Sequence, residues 1–520
     1  MKRLIDADYS VQYLLPPSVE DWVPPNHPVR FLRTFVECLD LQALGFKIPR
    51  SLEGGSVFAP SLLLKIWLYA WYERIRSTRR MERLCRTDLP LIWLAGQNTP
   101  DHNTLWRFWA DNRKALKAVL RQSVRVAVGS ELVGMVLHAV DGTKLLAHSA
   151  RRSALHREDL EKLLAKVDET IAHMEGELEK MRLEEADATP APALQEKLTD
   201  ARTRRQVIEE GLKKLDEEKA DHLQPSEPDA EQMKAGQRVE WAWNAQAVVD
   251  SESGLIVAAE LDNEALDAHH LVSMIEEVEE NTQAVAAMTV ADSGYSKSDQ
   301  ELAEAAKKKY PVTVARSRQE KDAYHRSQFS FDREAGTCVC PEGVSLARDG
   351  TANYEYQEGR AVRFRCNKGE SCPAFELCRR KKESKGRTVE FSPHHELIVE
   401  HKKVLAGEEG KAALKKRREV VEPVFGSIKH NDGFRRVSVR GEEKARAQWM
   451  LMCTVWNLRR LWRFWQEGKL SLEKMVEAAK QAKGAEKGAI GGLSALSERL
   501  GELWNALGVL FWLCGARPAA

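Results

Sequence analysis

Short strand-like runs recur through the middle of the chain, and each pair is separated by a turn or a helical segment. LVGMVLHAVDGTKLLA (132–147) reads as a buried strand entering a turn at Asp141-Gly142. WAWNAQAVVD (241–250) and GLIVAAEL (254–261) flank a short SESG turn and read as a hairpin. His270 to Glu280 follows as a helix, and AVAAMTVADSGY (284–295) is a strand ending at Asp292-Ser293-Gly294. LAEAAKKK and YPVTVARS add a helix and a further strand. Strands alternating with helices predict an α/β domain built on a mixed sheet.

That sheet is interrupted in sequence. Leu160, Leu164, Val167, Ile171, Met174, Leu178 and Met181 are spaced by alternating fours and threes, a heptad seam. ATPAPA breaks the pattern. Leu194, Leu198, Ala201, Ile208, Leu212 and Leu215 resume it, with Arg205 in one seam position. An intermolecular coiled coil would satisfy this spacing. An antiparallel hairpin satisfies it better, because strands on both sides must be brought back together.

Residues 1–130 read as helical, with PSLLLKIWLYAWYERIRSTRRMERLC after a Pro start and TPDHNTLWRFW after a capping Asp101 or Asn103. Their Trp and Leu residues read as core. Arg74, Arg76, Arg79, Arg80, Arg83 and Arg86 make a solvated face, or a phosphate-contacting one if the chain handles DNA. The 79 Lys and Arg nearly balance the 78 Asp and Glu, so nucleic-acid binding would need such local patches. MKRLIDADYS lacks the apolar core of a secretion signal, and Leu507 to Cys514 is far shorter than a membrane span. Nine Cys, an odd number, do not suggest a disulfide scaffold. The expectation is a cytoplasmic chain with reduced thiols and no membrane partner.

Asp141 and Asp292 close neighbouring strand-like runs, and Glu422 lies on a helical segment, EVVEPVFGSIKHNDGFRRVSVRG. Three such carboxylates can hold a pair of Mg²⁺ ions, which take hard oxygen ligands. Taken alone, a strand-end Asp is usually a turn residue. Asp250 competes with the two aspartates, and Glu419 lies one helical step of three from Glu422. Spacing does not choose between the two glutamates.

Several segments resemble bacterial insertion-sequence transposases of the DDE class, which have a ribonuclease H-like catalytic domain. They are HAVDGTKLLA, SEPDAEQMK, WNAQAVVDSESGLIVAAEL, TVADSGY, VVEPVFGSIKHNDGFRR and VRGEEKARAQWMLMCTVWNL. LPPSVEDWVPPNHPVRFLRTFVECLDL and TPDHNTLWRFW resemble the helical domain that precedes it in one large subgroup. The resemblance places the three catalytic acids on Asp141, Asp292 and Glu422. It implies two Mg²⁺ (or Mn²⁺) ions, cleavage at terminal inverted repeats, joining of the ends to target DNA, and a homodimer that holds two ends. It also implies a bacterial, nucleoid-associated location. Part of the superfamily carries a Tyr-Arg-Glu-Lys signature; Arg418, Glu422 and Lys429 keep its spacing, and Lys415 stands where the Tyr would be. Arg418, Lys429, Arg435 and Arg436 are the implied DNA-phosphate contacts. The rival readings are a nuclease of the same fold without strand transfer, and an inactive domesticated DNA-binding protein.

The family often carries a cysteine-bearing insertion with two Cys-Pro steps, which Cys340-Pro341 and Cys372-Pro373 fit. Cys340, Cys366, Cys372 and Cys378 could hold a structural Zn²⁺, with Cys338 a fifth candidate or a spare. Free thiols in a loop are the alternative. Cys38, Cys85, Cys453 and Cys514 lie on apolar helical faces and read as core. The expected organisation is a helical domain at 1–130 and a ribonuclease H-like domain at 131–155 and 223–465. A coiled-coil insertion (156–222), a Cys-containing insertion (318–390) and a helical tail (466–520) complete it.

Overall fold

The computed structural model describes residues 18–48, 57–149, 155–184, 192–218, 222–224, 227–315, 322–356, 359–379, 386–396, 398–399 and 407–487. Cys514 and the rest of 488–520 lie outside them. Seven helices come first: α1 (Val19–Trp22), α2 (Pro28–Glu37), α3 (Pro60–Tyr72), α4 (Thr78–Thr87), α5 (Leu89–Leu94), α6 (His102–Asp111) and α7 (Ala115–Gly129). Their starts follow local rules. Asp101 caps α6 by accepting from the Thr104 amide at 2.6 Å, and Pro opens α2 and α3, where no helical N–H is needed.

Next come β1 (Leu137–Leu146), the short β2 (Leu155–His156), α8 (Arg157–Glu184), α9 (Pro192–Glu218) and the short β3 (His222–Leu223). The helices α8 and α9 run antiparallel and pack through Leu160, Ile208 and Leu215. Ion pairs cross between them, Arg205 to Asp168 at 2.6 Å and Arg202 to Glu175 at 2.7 Å. Arg205, set in the apolar seam, therefore reaches outward to a carboxylate. Met181 and Leu194 lie outside the residues whose side chains are described.

The main sheet adds β4 (Glu231–Ala235), β5 (Arg238–Asp250), β6 (Ile256–Asp262), β7 (Met288–Ala291) and β8 (Val312–Val314). Helices α10 (Leu271–Thr282) and α11 (Asp299–Lys307) connect its later strands. The order is β4-β5-β1-β7-β8, with β6 also paired to β5. β1 runs antiparallel to β5 and parallel to β7, and β7 runs parallel to β8, so the sheet is mixed. Both faces are covered, and alternation along β1 shows it. Leu137, Ala139 and Leu145 enter one apolar core, Val140 the other.

A second sheet follows, β9 (Ser330–Asp332), β10 (Thr337–Val339), β11 (Ser345–Tyr356), β12 (Gly359–Arg365) and β13 (Thr388–Phe391), with the short α12 (Phe375–Cys378) before β13. Its core is Phe329, Cys338, Phe364, Val389 and Phe391. The chain then returns to the main sheet through α13 (Glu408–Gly426), α14 (Glu442–Gln466) and α15 (Leu472–Lys487).

Helix α14 locks the parts together. Asn457 accepts from the Ile256 amide and donates to the Ile256 carbonyl, both at 2.8 Å, so one buried amide pairs the β6 backbone as a strand would. Trp449 and Trp456 donate to the carbonyls of Gln246 and Gly254. Arg459 reaches the buried Asp432 at 2.6 Å and also donates to the Tyr72 carbonyl at the end of α3. Arg74 meets the same carboxylate at 3.3 Å, and Arg76 donates to the Asp432 carbonyl. One buried acid thus ties the N-terminal helices to the segment behind α13. Among the described residues, no helix is long and apolar enough to cross a membrane.

Removing one partner of a buried ion pair leaves the other charge uncompensated. Asp432→Ala should cost about 3 kcal/mol of stability, read as a lower denaturant midpoint. An unchanged midpoint would show that Asp432 is not a tie between the two parts.

Candidate active site

The parallel register decides which acids meet. The turn expected at Asp141-Gly142 is absent: β1 continues to Leu146 because β5 pairs it through Gly142 and beyond, so Asp141 lies inside the strand, just past the last residue paired with β7. Ala139 pairs with Val290 and Val140 with Ala291. One step further along both strands puts Asp141 beside Asp292. Alternation then sends both side chains to the face that α13 covers, the face of Ala139 and Val290. Asp250 does not join them. It lies at the other end of β1, opposite His138, where its carboxylate takes the Ser253 amide at 2.8 Å and the Ser253 hydroxyl at 2.7 Å. A turn role accounts for Asp250.

Burial pushes the Asp141 carboxyl up to about 6; Arg417 opposes the shift and the neighbouring charge of Asp292 adds to it. The Arg417 guanidinium donates to Asp141 Oδ2 at 2.6 Å, with both side chains largely covered. Asp292 Oδ1 takes the Gly294 amide at 2.6 Å, which closes the turn after β7.

The structure places the remaining expected residues less uniformly. The buried face of α13 carries Ala413, Val421 and Val424, and the following turn adds Ile428. Arg417 shares this face. Glu422 is one residue, about 100°, past Val421. Its carboxylate is 64% exposed, and its nearest cation is Arg418 at 4.0 Å. Glu419 is exposed as well. Neither glutamate is brought to the aspartates, and Pro423, inside the helix just after Glu422, removes one helical hydrogen bond there. Among the described residues, no three carboxylate, thiol or imidazole groups are drawn together as a ready metal site.

Arg418 is exposed. Lys429 is half-buried, donates to the Lys144 carbonyl at 3.0 Å, and is held below the usual ammonium range mainly by burial. Arg435 donates to the Lys429 carbonyl at 3.1 Å and meets His430 Nδ1 at 2.6 Å. Arg436 donates to the carbonyls of Ala147 and Ser149. Lys429 and Arg436 brace the end of β1, while Arg435 meets it through its backbone carbonyl, which accepts from the Leu146 amide. Arg79, Arg80, Arg83 and Arg86 are exposed on α4.

Two functional side chains escaped the sequence reading. Arg417 had a signal, a lone cation set among Ala413, Val421, Val424 and Ile428 on an apolar helical face. Asp267, in a short turn before α10, had none. Its Oδ1 takes Lys144 Nζ at 3.0 Å and the amides of Asn244 and Gln246 at 2.9 Å each. A Cβ at Gly142 would stand 2.6 Å from Asp267 Oδ1; one at Gly294 would stand 2.8 Å from Asp292 Oδ1 and 3.3 Å from Asp267 Oδ2. Gly142, inside β1, and Gly294, in the turn after β7, therefore leave room that the carboxylates use.

In the second sheet Cys338 is buried, and burial pushes its thiol up to about 11. Cys340, Cys366 and Cys378 pack at the edge of that core. Burial raises the Cys378 thiol, Arg387 opposes the shift, and Cys366, Cys340 and Cys372 lie near enough to raise it further. The Val344 amide points at Cys340 Sγ, 3.4 Å away, across the Cys-Pro-Glu-Gly turn.

Residues 339–462 match the family model described as transposase DDE domain, and residues 17–111 match that of a transposase domain of the DUF772 class. Together the matches support an insertion-sequence DDE transposase. They span the helical N-terminal region and the stretch from the second sheet to α14. Asp141 and Asp292 lie between them. No curated protein and no solved structure matches the chain.

A carboxyl raised by folding takes up its proton between the unfolded value near 4 and about 6. Its contribution to stability is complete below pH 4 and is lost as pH rises through 6, by up to about 3 kcal/mol. Asp141→Asn removes that loss. In metal-free buffer the variant should therefore gain on the wild type as pH rises from 4 to 7, measured by unfolding at each pH. Parallel profiles would contradict the burial assigned to Asp141.

Proposed function

We propose that the chain is a DNA transposase that cuts at the ends of its element and joins the released 3′ hydroxyls to target DNA at the Asp141–Asp292 cleft. The observation that carries this is the in-register pair of aspartates where the parallel pairing of β1 with β7 ends, in a chain whose flanking parts match transposase domains. The strand order, with one antiparallel neighbour and two parallel strands beyond β1, supports a ribonuclease H-like reading of the sheet. The domain division given above follows from that reading.

The donor set suits a divalent metal in part. Asp141 and Asp292 offer hard carboxylate oxygens from neighbouring strands, one of them raised mainly by burial, and a divalent cation would offset their charge. When bound, Mg²⁺ or Mn²⁺ supplies activation of the attacking oxygen and stabilisation of the leaving one. Glu422 is the third ligand in this proposal; it enters the cleft only if α13 turns about its axis. Arg417 holds the Asp141 carboxylate and supplies positive charge where a phosphate would approach. Lys429 and Arg436 stiffen the end of β1, and Arg435 holds their loop, so the two aspartates keep their spacing while DNA is held. Arg418 and the α4 arginines offer exposed charge to phosphates. Two element ends must be processed together, so the working form is a homodimer.

Cys340, Cys366, Cys372 and Cys378 are proposed to hold a structural Zn²⁺. Cys340, Cys366 and Cys378 packing against one small core, and the amide aimed at Cys340 Sγ, support this, and the four thiols must draw closer than they stand for a metal to bind. Four thiolates would leave no open position for substrate.

Purified protein should cleave and join element-end DNA only with added Mg²⁺ or Mn²⁺. Asp292→Asn should abolish both steps while end binding stays within about twofold, because phosphate contacts lie elsewhere. Glu422→Gln should do the same, and Glu419→Gln should not. Cleavage without joining would make the chain a nuclease, and full activity of Asp292→Asn would refute the site. Zinc near one equivalent per chain, lost in a Cys366→Ser variant, is expected from elemental analysis.

A further inference from the structure

Two amides, Asn244 and Gln246, sit fully buried at alternate positions of β5, where an apolar residue would be the usual occupant. In the sheet they face Lys144 and Gly142 of β1, and the four positions share the face opposite to Asp141. Buried amides are costly unless their donors and acceptors are matched. Asp267 supplies the match by closing over this patch.

The network has one direction. A carboxylate only accepts, so Gln246 must turn Nε2 toward Asp267 Oδ1, at 2.9 Å. That leaves Gln246 Oε1 as the acceptor for the Tyr295 hydroxyl, which donates to it. Tyr295 is completely buried in the second core, three residues after Asp292. Between them, Gly294 closes the turn onto Asp292 Oδ1. The Asp267 charge also takes Lys144 Nζ at 3.0 Å, which settles that ammonium on the face away from Asp141.

We propose that Asp267 is a positioning residue: through Gln246 and Tyr295 it fixes the turn that aims Asp292, and through Lys144 and the Gly142 gap it seats the end of β1. The proposal rests on the reading of Asp141 and Asp292 as metal-holding residues, and it assigns Asp267 no contact with DNA. Groups that orient ligands from behind typically change metal affinity by about 10- to 100-fold.

The test uses the full chain and two readouts, Mn²⁺ affinity by calorimetry and hydrogen exchange of peptides covering residues 292–297. Asp267→Asn removes the charge and lets the Gln246 amide turn over. It should weaken Mn²⁺ binding about tenfold or more and speed exchange of that turn, with DNA binding unchanged. Tyr295→Phe removes only the hydroxyl and should shift both readouts the same way, so the proposal stays testable if Asp267→Asn folds poorly. The double variant Asp267→Asn, Gln246→Glu again matches donor to acceptor across that hydrogen bond and keeps an acceptor for the Tyr295 hydroxyl, though not the Lys144 ion pair, so exchange of the turn should slow again relative to Asp267→Asn, which a role in bulk packing would not predict. Wild-type Mn²⁺ affinity in Asp267→Asn or in Tyr295→Phe would overturn the proposal, as would a double variant that recovers nothing. If wild type and Asp141→Asn bind Mn²⁺ equally, the metal reading itself has failed. Exchange of residues 292–297 then decides the Asp267 network alone, and an unchanged rate in Asp267→Asn overturns it.

Discussion

The parallel pairing of β1 with β7 is the constraint from which the site follows. Its register alone sets Asp141 beside Asp292, and the two-residue period of a strand sends both to one face. Sliding β7 by a single residue would turn Asp292 to the opposite core and separate the pair. The elements that hold this register are correspondingly numerous. β5 pairs β1 along nine residues on one side, Asn457 and the α14 tryptophans grip β5 and β6, and α10 packs behind. Burial raises the Asp141 carboxyl, and the neighbouring charge of Asp292 adds to that cost. The fold offsets it with Arg417.

The strand end is used on both faces. Toward α13 lie Asp141, Asp292 and Arg417; on the reverse lie Gly142, Lys144, Asn244, Gln246 and Asp267. Gly142 and Gly294 connect the two sides, since a side chain at either would strike the carboxylates. Glycine follows each catalytic candidate for steric reasons, and no left-handed backbone angle is involved, because neither position has one.

The sequence makes the sheet legible because buried strands leave a local trace. VLHAVDG, AQAVVD and TVADSGY each carry a short apolar run, and the structure has strands there, although the first continues past its acid to Leu146. The second sheet left no such trace. Its strands are polar, with a small core around Phe329, Phe364 and Phe391 contributed by residues far apart in the chain, so residues 318–390 show in the sequence only as a Cys-containing insertion. At the site, strand-end acids are visible as residue types, but facing is not. Asp267 is invisible in principle. It precedes α10 in a turn, where an aspartate is ordinary, and its meaning lies in three donors from β1 and β5 that only the register brings together.

Facing is also where α13 departs from the expected arrangement, and its phase has chemical weight. Arg417, Val421 and Val424 mark the side that meets the sheet, and a residue one step onward is turned about 100° away. One helix cannot present Arg417 and Glu422 to Asp141 at once without bending or turning between them. The two side chains would do opposite things there. An arginine neutralises the aspartate and occupies an oxygen a metal would need, whereas a glutamate adds charge that only a metal can balance. The seated Arg417 is therefore the arrangement electrostatics favours for the bare acidic pair. The break in helical hydrogen bonding at Pro423 and the wider turn from Ser427 to Asn431 lie just beyond Glu422, where a change of phase strains the helix least.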